Sequence, residues 1–217
     1  MSLWIKICGN TSLADAQLAA EAGADAVGFI FAPSPRRVTA DQVAAITSHL
    51  PDIEKIGVFV DLDFAAISAT VDQCALTGVQ LHGDADESAT MTVIRQLRTR
   101  FGPKFRLLHV LHFTKSLDLP AELPEIDAVL IDSRTATAVG GTGIPFDWHA
   151  ARSTVFSPDR RLKLIAAGGL SPSNVAEAIA TLQPWGVDVA SGVESAPGQK
   201  DPAKVRQFVA TARAAAK

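Results

Sequence analysis

The chain has 217 residues, of which 47% are hydrophobic and 20% charged, and its formal net charge is -3. This composition is typical of one globular domain spanning residues 1–217, because a chain of this length buries about 70% of its unfolded surface. The charge does not favour nucleic-acid binding, and no segment approaches the roughly 18 consecutive apolar residues of a membrane span. Two cysteines, Cys8 and Cys74, are too few for a disulfide framework. We therefore expect a cytoplasmic protein that binds neither nucleic acid nor membranes.

Eight short segments rich in β-branched residues are predicted strands. They cover residues 3–8, 26–31, 55–60, 79–82, 105–112, 128–132, 162–167 and 187–191. Alanine-rich amphipathic segments are predicted helices over residues 13–22, 40–49, 64–74, 88–100, 173–182 and 202–215. The segments after the fifth and sixth strands show no clear pattern. This alternation predicts an α/β protein with a closed (β/α)8 TIM barrel, and an open doubly wound sheet is the alternative.

Cys8 ends the first predicted strand and is followed at once by turn residues 9–11. Ligands meet a parallel barrel at the carboxyl ends of its strands, so this thiol is a candidate for chemistry. An ordinary thiol is mostly protonated at neutral pH. Lys6 points to the same side of the strand as Cys8. We hypothesise that Lys6 lies inside the barrel and pairs with an acidic residue, for which Asp188 is the best candidate. Its positive charge would then favour the thiolate of Cys8.

Two aspartates, Asp25 and Asp127, come directly before predicted strands. The amino ends of barrel strands contribute to stability rather than to ligand binding, so we expect structural roles for both carboxylates. Cys74 ends an amphipathic helix and is interpreted as a packing residue. His109 and His112 are three residues apart on one strand, a spacing that sends them to opposite faces and argues against a shared metal.

Glycine-rich turns follow the seventh and eighth predicted strands. They contain Gly168 and Gly169 after the seventh strand, and Ser191 and Gly192 after the eighth. Ser171 is predicted to cap the next helix, with Pro172 at its first position. Backbone N–H groups can approach an anion closely in such turns, and two of them on consecutive strands predict a phosphate site.

Asp132 ends the sixth predicted strand, at the edge of the barrel where Cys8 is expected. A carboxyl group there is a candidate acid, and to hold its proton near neutral pH it would need a raised pKa. The loop behind it contains Gly140, Gly141 and Gly143.

These features occur together with further motifs, in one order along the chain. The motifs are Lys6-Ile7-Cys8-Gly9, Ser34-Pro35-Arg36-Arg37, Gly78-Val79-Gln80-Leu81-His82-Gly83, Asp132 with Gly140-Gly141-Thr142-Gly143 and Phe146-Asp147-Trp148, Ala167-Gly168-Gly169-Leu170, and Asp188-Val189-Ala190-Ser191-Gly192-Val193-Glu194. Through them the chain resembles the phosphoribosylanthranilate isomerases of tryptophan biosynthesis over nearly its whole length. It departs from the family at Ala190, where a serine is common, and in the long segment 133–139.

The resemblance implies a rearrangement without cofactor or metal, in which N-(5-phosphoribosyl)anthranilate becomes 1-(2-carboxyphenylamino)-1-deoxyribulose 5-phosphate. It implies that Cys8 is the general base and Asp132 the general acid. It favours Arg37 as the ligand of the anthranilate carboxylate. A pair of solvated arginines is the alternative interpretation, and it is the one that we favour for Arg36.

Further polar residues are expected near a phosphorylated small-molecule substrate. Gln80 and His82 share one face of the fourth strand and could line the pocket or support the end of the strand. The glycines expected to bind substrate are Gly141, Gly143, Gly168, Gly169 and Gly192, together with Ser191. Glu194 and Asp201 are interpreted as residues that stabilise nearby loops.

Two alternatives remain open on the sequence. Another phosphosugar barrel isomerase or epimerase would keep the phosphate turns but require metal-binding His and Asp residues or a lysine at the reacting centre. A non-catalytic phosphosugar-binding barrel would keep the turns and tolerate loss of the acid or the base. The presence of both Cys8 and Asp132 favours the isomerase. No single exposed apolar stripe indicates a dimer, so we expect a monomer.

Overall fold

The computed structural model describes residues 3–82, 87–112, 119, 123–132, 147–157 and 161–216. Eight parallel strands form a closed barrel in chain order, in which the last strand pairs with the first. They are β1 (Trp4–Ile7), β2 (Ala26–Ile30), β3 (Glu54–Phe59), β4 (Gly78–His82), β5 (Arg106–His112), β6 (Ala128–Asp132), β7 (Leu164–Ala166) and β8 (Gly186–Val189). The predicted (β/α)8 barrel is confirmed, and the open doubly wound sheet is excluded.

Seven α-helices surround the barrel in the part of the chain that the structure describes. They are α1 (Leu13–Glu21), α2 (Ala40–Thr47), α3 (Phe64–Cys74), α4 (Glu87–Phe101), α5 (Trp148–Thr154), α6 (Val175–Leu182) and α7 (Pro202–Ala215). Helix α5 follows β6, where the sequence pattern was unclear. Between β8 and α7 lie a short 3-10 helix (Ser191–Val193) and a two-stranded antiparallel hairpin of β9 (Glu194–Ala196) and β10 (Gln199–Lys200). The sequence analysis predicted neither.

Side-chain caps explain where several helices begin. Thr39 and Gln42 form a reciprocal capping box at α2, and Asp201 accepts hydrogen bonds from the first backbone N–H groups of α7. The predicted cap of α6 at Ser171 is wrong, because this helix begins at Val175. Asn174 explains the difference: its amide accepts from the Ser171 N–H at 2.8 Å and donates to the Gly169 carbonyl at 2.9 Å. Residues 171–174 therefore form a turn rather than the first turn of the helix.

The side chains alternate between two apolar layers. The inner layer fills the barrel and comprises Trp4, Ala26, Ile56, Leu108, Val110, Ala128, Leu130, Ile165 and Ala167. The outer layer, which includes Ile5 and Ile7 of β1, packs against the helices. Because successive residues of a strand face opposite sides, this alternation places Lys6 and Cys8 on the same side as Trp4, towards the barrel axis.

The amino ends of the strands carry two equivalent carboxylate contacts. Asp25 accepts a hydrogen bond from the Ile5 N–H at 2.7 Å and pairs with Arg213 at 2.8 Å. Asp127 accepts from the Leu107 N–H at 2.7 Å and pairs with Arg98 at 2.9 Å. Each carboxylate thus joins a neighbouring strand to a surrounding helix, which confirms the structural roles that the sequence predicted.

Candidate active site

The thiol of Cys8 lies at the carboxyl end of β1 and is buried, with 4% of the residue exposed. The Cys8 N–H donates to the Val189 carbonyl at 2.8 Å, which fixes the residue against β8. On the other side, Gly28 of β2 provides the space that the thiol needs. A Cβ atom at Gly28 would lie 2.8 Å from the Cys8 Sγ and 3.0 Å from the Lys6 Cε, closer than ordinary contact. Gly28 is therefore part of the site, although the sequence analysis did not single it out.

Lys6 lies beneath the thiol, and its side chain is completely buried. Its ammonium donates to the Asp188 carboxylate at 2.7 Å and to the Gln80 side-chain carbonyl at 2.9 Å. Lys6 and Asp188 are also register partners in the pairing of β1 with β8. Burial lowers the pKa of Lys6, but the charges of Asp188 and Cys8 outweigh it and raise this pKa above its ordinary value. The predicted pairing of Lys6 with Asp188 is confirmed.

A chain of polar side chains continues from Lys6 across the barrel. The Gln80 amide nitrogen and the His82 Nε2 are 3.4 Å apart, which confirms that these residues share one face of β4. The ring of His82 lies 6.1 Å from that of His112 on β5. His109 shares the outer parity of Leu107, so the two histidines of β5 face opposite sides as predicted. Among the described residues, no group of three His, Cys, Asp or Glu side chains could hold a metal ion.

Lys200, in the hairpin before α7, is a second fully buried cation next to Cys8. Its ammonium donates to the main-chain carbonyl of Cys8 at 2.6 Å, to that of Ala190 at 3.2 Å, and to the Glu194 carboxylate at 3.1 Å. Burial lowers the pKa of Lys200, and this effect outweighs the opposing charge of Glu194. The sequence analysis missed Lys200, because its sequence neighbours carry no motif and its partner Cys8 is 192 residues away.

The charges around Cys8 oppose its burial. Burial raises the pKa of the Cys8 thiol, Lys6 and Lys200 lower it, and Asp188 raises it; the net direction is upward from the ordinary value. Lys6, Lys200 and Arg36 carry three positive charges against the two negative charges of Asp188 and Glu194, so the cluster is net positive. Lys6 thus acts in the direction that we hypothesised, but it does not outweigh burial.

The two arginines after β2 have different environments. Arg36 forms a bidentate pair with Glu194, with both nitrogen–oxygen distances at 2.7 Å, and its side chain is only 14% exposed. The interpretation of Arg36 as a solvated arginine is therefore wrong. Arg37 is exposed, and its N–H donates to the Ser34 carbonyl at 3.0 Å. The side chain of Arg37 is thus accessible to a ligand, whereas that of Arg36 is engaged within the protein.

The turns after β7 and β8 lie against each other at the carboxyl end of the barrel. Gly168 and Gly169 both have positive φ, at 78° and 66°. Gly192, in the 3-10 helix that begins at Ser191, packs directly on the main-chain carbonyl of Leu170. The structure therefore brings together the four residues that the sequence predicted as a phosphate site.

Asp132 is the last residue of β6, half-buried and opposite His112 in the pairing of β5 with β6. It stands at the same end of the barrel as Cys8, as the sequence predicted. The predicted substrate-binding residues Gly141 and Gly143, and the neighbouring Gly140, lie outside the described residues.

A closed barrel with a carboxyl group, a thiol between buried charges, and adjacent glycine turns at its carboxyl end is typical of a (β/α)8-barrel enzyme that acts on a small phosphorylated ligand. The model of the family N-(5'-phosphoribosyl)anthranilate (PRA) isomerase matches residues 5–211. The chain belongs to this family. It catalyses the isomerisation of N-(5'-phosphoribosyl)anthranilate in tryptophan biosynthesis.

Similar proteins agree with this assignment. The N-(5'-phosphoribosyl)anthranilate isomerase of Geobacter sulfurreducens is 45% identical over 212 residues, which cover 96% of this chain and 98% of the relative. The solved phosphoribosyl anthranilate isomerase of Thermotoga maritima has a TM-score of 0.81 at 32% identity and covers 98% of this chain and 99% of its own. A phosphoribosyl anthranilate isomerase in complex with reduced 1-(o-carboxyphenylamino)-1-deoxyribulose 5-phosphate has a TM-score of 0.79 at 30% identity, with coverages of 98% and 99%.

Proposed function

We propose that the isomerisation proceeds by general acid–base catalysis, with Cys8 as the base and Asp132 as the acid. The placement of these two groups carries the proposal. Both stand at the carboxyl ends of strands, and β6 is three strands from β1 through β7 and β8, so the groups lie across the barrel mouth from each other. A substrate bound over the mouth would therefore meet the acid on one side and the base on the other.

Each group has one proton to move. Asp132 donates its proton to the ring oxygen of the ribose, and the furanose opens to a Schiff base. The Cys8 thiolate then removes the proton from ribose C2, and the electrons of that C–H bond form the double bond of an enolamine. The enolamine takes up a proton at C1 from the Cys8 thiol and releases the proton of its C2 hydroxyl to the Asp132 carboxylate, which gives the ketose product and restores both groups. No atom is gained or lost, so the sequence of steps needs no co-reactant.

The remaining predicted residues orient the substrate. The turns at Gly168, Gly169, Ser191 and Gly192 would bind its phosphate through backbone N–H groups, in the manner of many phosphate sites after β7 and β8. Gln80 and His82 would line the floor below the reacting carbon. With the phosphate at these turns, the anthranilate end of the substrate extends towards the β2–α2 loop, where the Arg37 guanidinium is exposed.

The role of Asp132 is tested by Asp132→Asn, which keeps the size of the side chain and removes the acidic proton. Loss of a general acid lowers kcat by roughly 10²–10⁴-fold. We expect the fluorescence of phosphoribosylanthranilate to disappear at least 100-fold more slowly with the variant than with the wild-type protein. An unchanged rate in the folded variant would exclude Asp132 as the acid.

Arg37→Lys tests the carboxylate-binding group. A lysine keeps the charge but cannot form two parallel hydrogen bonds to a carboxylate, so we expect a roughly fivefold or larger increase in KM. The measurement is steady-state kinetics with phosphoribosylanthranilate. Wild-type KM and kcat in this variant would remove Arg37 from the site.

We further propose that the protein acts as a cytoplasmic monomer built as one domain over residues 1–217. The described residues contain no helix long and apolar enough to cross a membrane. Among the described residues, Val60 is the one large hydrophobic residue that is exposed, with 45% of its surface accessible, which supports a monomer. Sedimentation at micromolar protein concentration tests the monomer, and a stable dimer would contradict it.

A further inference from the structure

The carboxylate of Glu194 contacts residues from two of the segments that form the candidate site. Glu194 accepts two hydrogen bonds from Arg36, which precedes Arg37 in the loop after β2. It also accepts from Lys200, whose ammonium reaches the main-chain carbonyls of Cys8 and Ala190. The Arg36–Glu194–Lys200 network therefore connects the carboxyl ends of β1 and β8 with the β2–α2 loop.

This network is buried, which makes its geometry restrictive. The side chains of Glu194 and Lys200 are 4% and 0% exposed, and that of Arg36 is 14% exposed. Burial raises the pKa of the Glu194 carboxyl, but the hydrogen bonds and charges of Arg36 and Lys200 outweigh it and lower this pKa below its ordinary value. A buried charge that loses a partner is strongly unfavourable, so the three groups keep one arrangement.

The stem of Arg36 adds a second contact with the turn that follows Cys8. Gly9 has a φ of +73°, and a Cβ atom at this position would lie 2.7 Å from the Arg36 Cδ. The Arg36 side chain therefore passes directly over the Cys8–Gly9 turn on its way to Glu194. Nearby, the hairpin contacts the same turn, because the Thr11 hydroxyl donates to the Gly198 carbonyl at 2.6 Å.

We propose that Glu194 is a positioning residue for the isomerisation, which acts through Arg36 on the placement of Arg37 and through Lys200 on the placement of Cys8. This inference rests on the proposed roles of Cys8 and Arg37. It predicts that the two arms of the network affect different kinetic constants. The Arg36 arm governs substrate binding and therefore KM, and the Lys200 arm governs the position of the base and therefore kcat.

The experiment compares Glu194→Gln with Glu54→Gln as a matched control. Glu54 forms a similar bidentate pair with Arg106, at 2.6 Å and 3.2 Å, but at the amino ends of β3 and β5, away from the site. We expect Glu194→Gln to lower kcat/KM at least tenfold in the folded protein, whereas Glu54→Gln changes it less than twofold. Equal kinetic effects of the two variants, or wild-type kinetics in Glu194→Gln, would overturn the proposal.

Separate variants then test the arms. We expect Arg36→Met to raise KM at least fivefold with kcat within twofold, and Lys200→Met to lower kcat at least tenfold with KM within threefold. If Lys200→Met does not fold, Arg36→Met decides, because the Arg36 side chain is partly exposed and that of Lys200 is completely buried. If Arg36→Met and Lys200→Met changed KM and kcat by the same factors, the effect would be a general structural one, and the proposal would be contradicted.

A double-mutant cycle separates this inference from the proposed role of Arg37. If Arg36 acts through Arg37, then Arg36→Met changes KM less than twofold when Arg37 is already methionine. An undiminished effect in that background overturns the Arg36 arm alone. A wild-type KM in Arg37→Met overturns both the role of Arg37 and this arm.

Discussion

Cys8→Ala is expected to reduce the isomerisation rate by roughly 10²–10⁴-fold, the contribution of a positioned general base. The substitution removes only the sulfur, so substrate binding, which we propose occurs at the glycine turns and at Arg37, should persist, and the loss should appear in kcat. Loss of phosphoribosylanthranilate fluorescence under saturating substrate is the measurement. Cys74→Ala is the matched control, because Cys74 is a buried cysteine at the end of α3 whose thiol donates to the Ala40 carbonyl.

The pH profile should carry the signature of the same thiol. Burial raises the pKa of Cys8, so the thiolate that we propose as the base is a minor form of the free enzyme at neutral pH. In the Asp132→Asn variant, where the acid no longer titrates, the residual kcat/KM should therefore rise about tenfold for each unit of pH below that pKa. A residual profile of this variant that is flat from about pH 6 to 9, or a Cys8→Ala variant with wild-type kcat, would show that another group is the base.

Lys6→Met should produce the largest loss of stability among single substitutions at the site. It leaves the Asp188 carboxylate inside the barrel without its ion-pair partner, and breaking a buried pair in this way costs about 3–5 kcal/mol. For a chain of this size, this change corresponds to a melting temperature lower by roughly 6–20 °C. Thermal or urea unfolding measures it.

Two comparisons make this prediction specific to the buried charge. The double variant Lys6→Met, Asp188→Asn should recover much of the loss, because it removes the unpaired carboxylate as well. Arg100→Met breaks an ion pair whose side chains are 53% and 55% exposed, so it should change the free energy of unfolding by less than about 1 kcal/mol. Equal losses in Lys6→Met and Arg100→Met would contradict the argument.

The folded Lys6 variants also test the hypothesis that Lys6 favours the thiolate of Cys8. Lys6→Met removes a nearby positive charge and leaves the negative charge of Asp188, so the pKa of the thiol should rise further. Thiolate absorbance followed against pH, with Cys8→Ala as the blank, gives this pKa. An unchanged titration would limit Lys6 to charge compensation.

The eight strands and the barrel that they form could be predicted because the alternation of strand and helix segments is a local property of the chain. Alternation with period two also predicted that Lys6 and Cys8 share the inner face of β1, and that Gln80 and His82 share a face of β4. The pairing of Lys6 with Asp188 was predicted for a different reason: a buried ammonium requires an acidic counter-ion, and Asp188 is the best interior candidate.

Local patterns were misleading where another side chain, near or distant in the chain, binds the same groups. Ser171 and Pro172 are typical of a helix start, but the Asn174 side chain binds the backbone of this turn, and α6 begins later. Arg36 is next to Arg37 in a polar loop, which suggested solvation. Its actual partner, Glu194, is 158 residues away in the chain.

The sequence by itself thus determined the eight-strand barrel, the family, and the positions of Cys8, Asp132 and the glycine turns at strand ends. Only the tertiary structure decided that Lys200 joins Lys6 and Asp188 around the thiol, since Lys200 reaches Cys8 through a hairpin that has no strong periodic signal. It also decided that Gly28 must lack a side chain, because the atoms that fill this space belong to another strand. The physical reason is the same in each case: backbone periodicity depends on neighbouring residues, whereas burial, charge pairing and space depend on residues that only folding brings together.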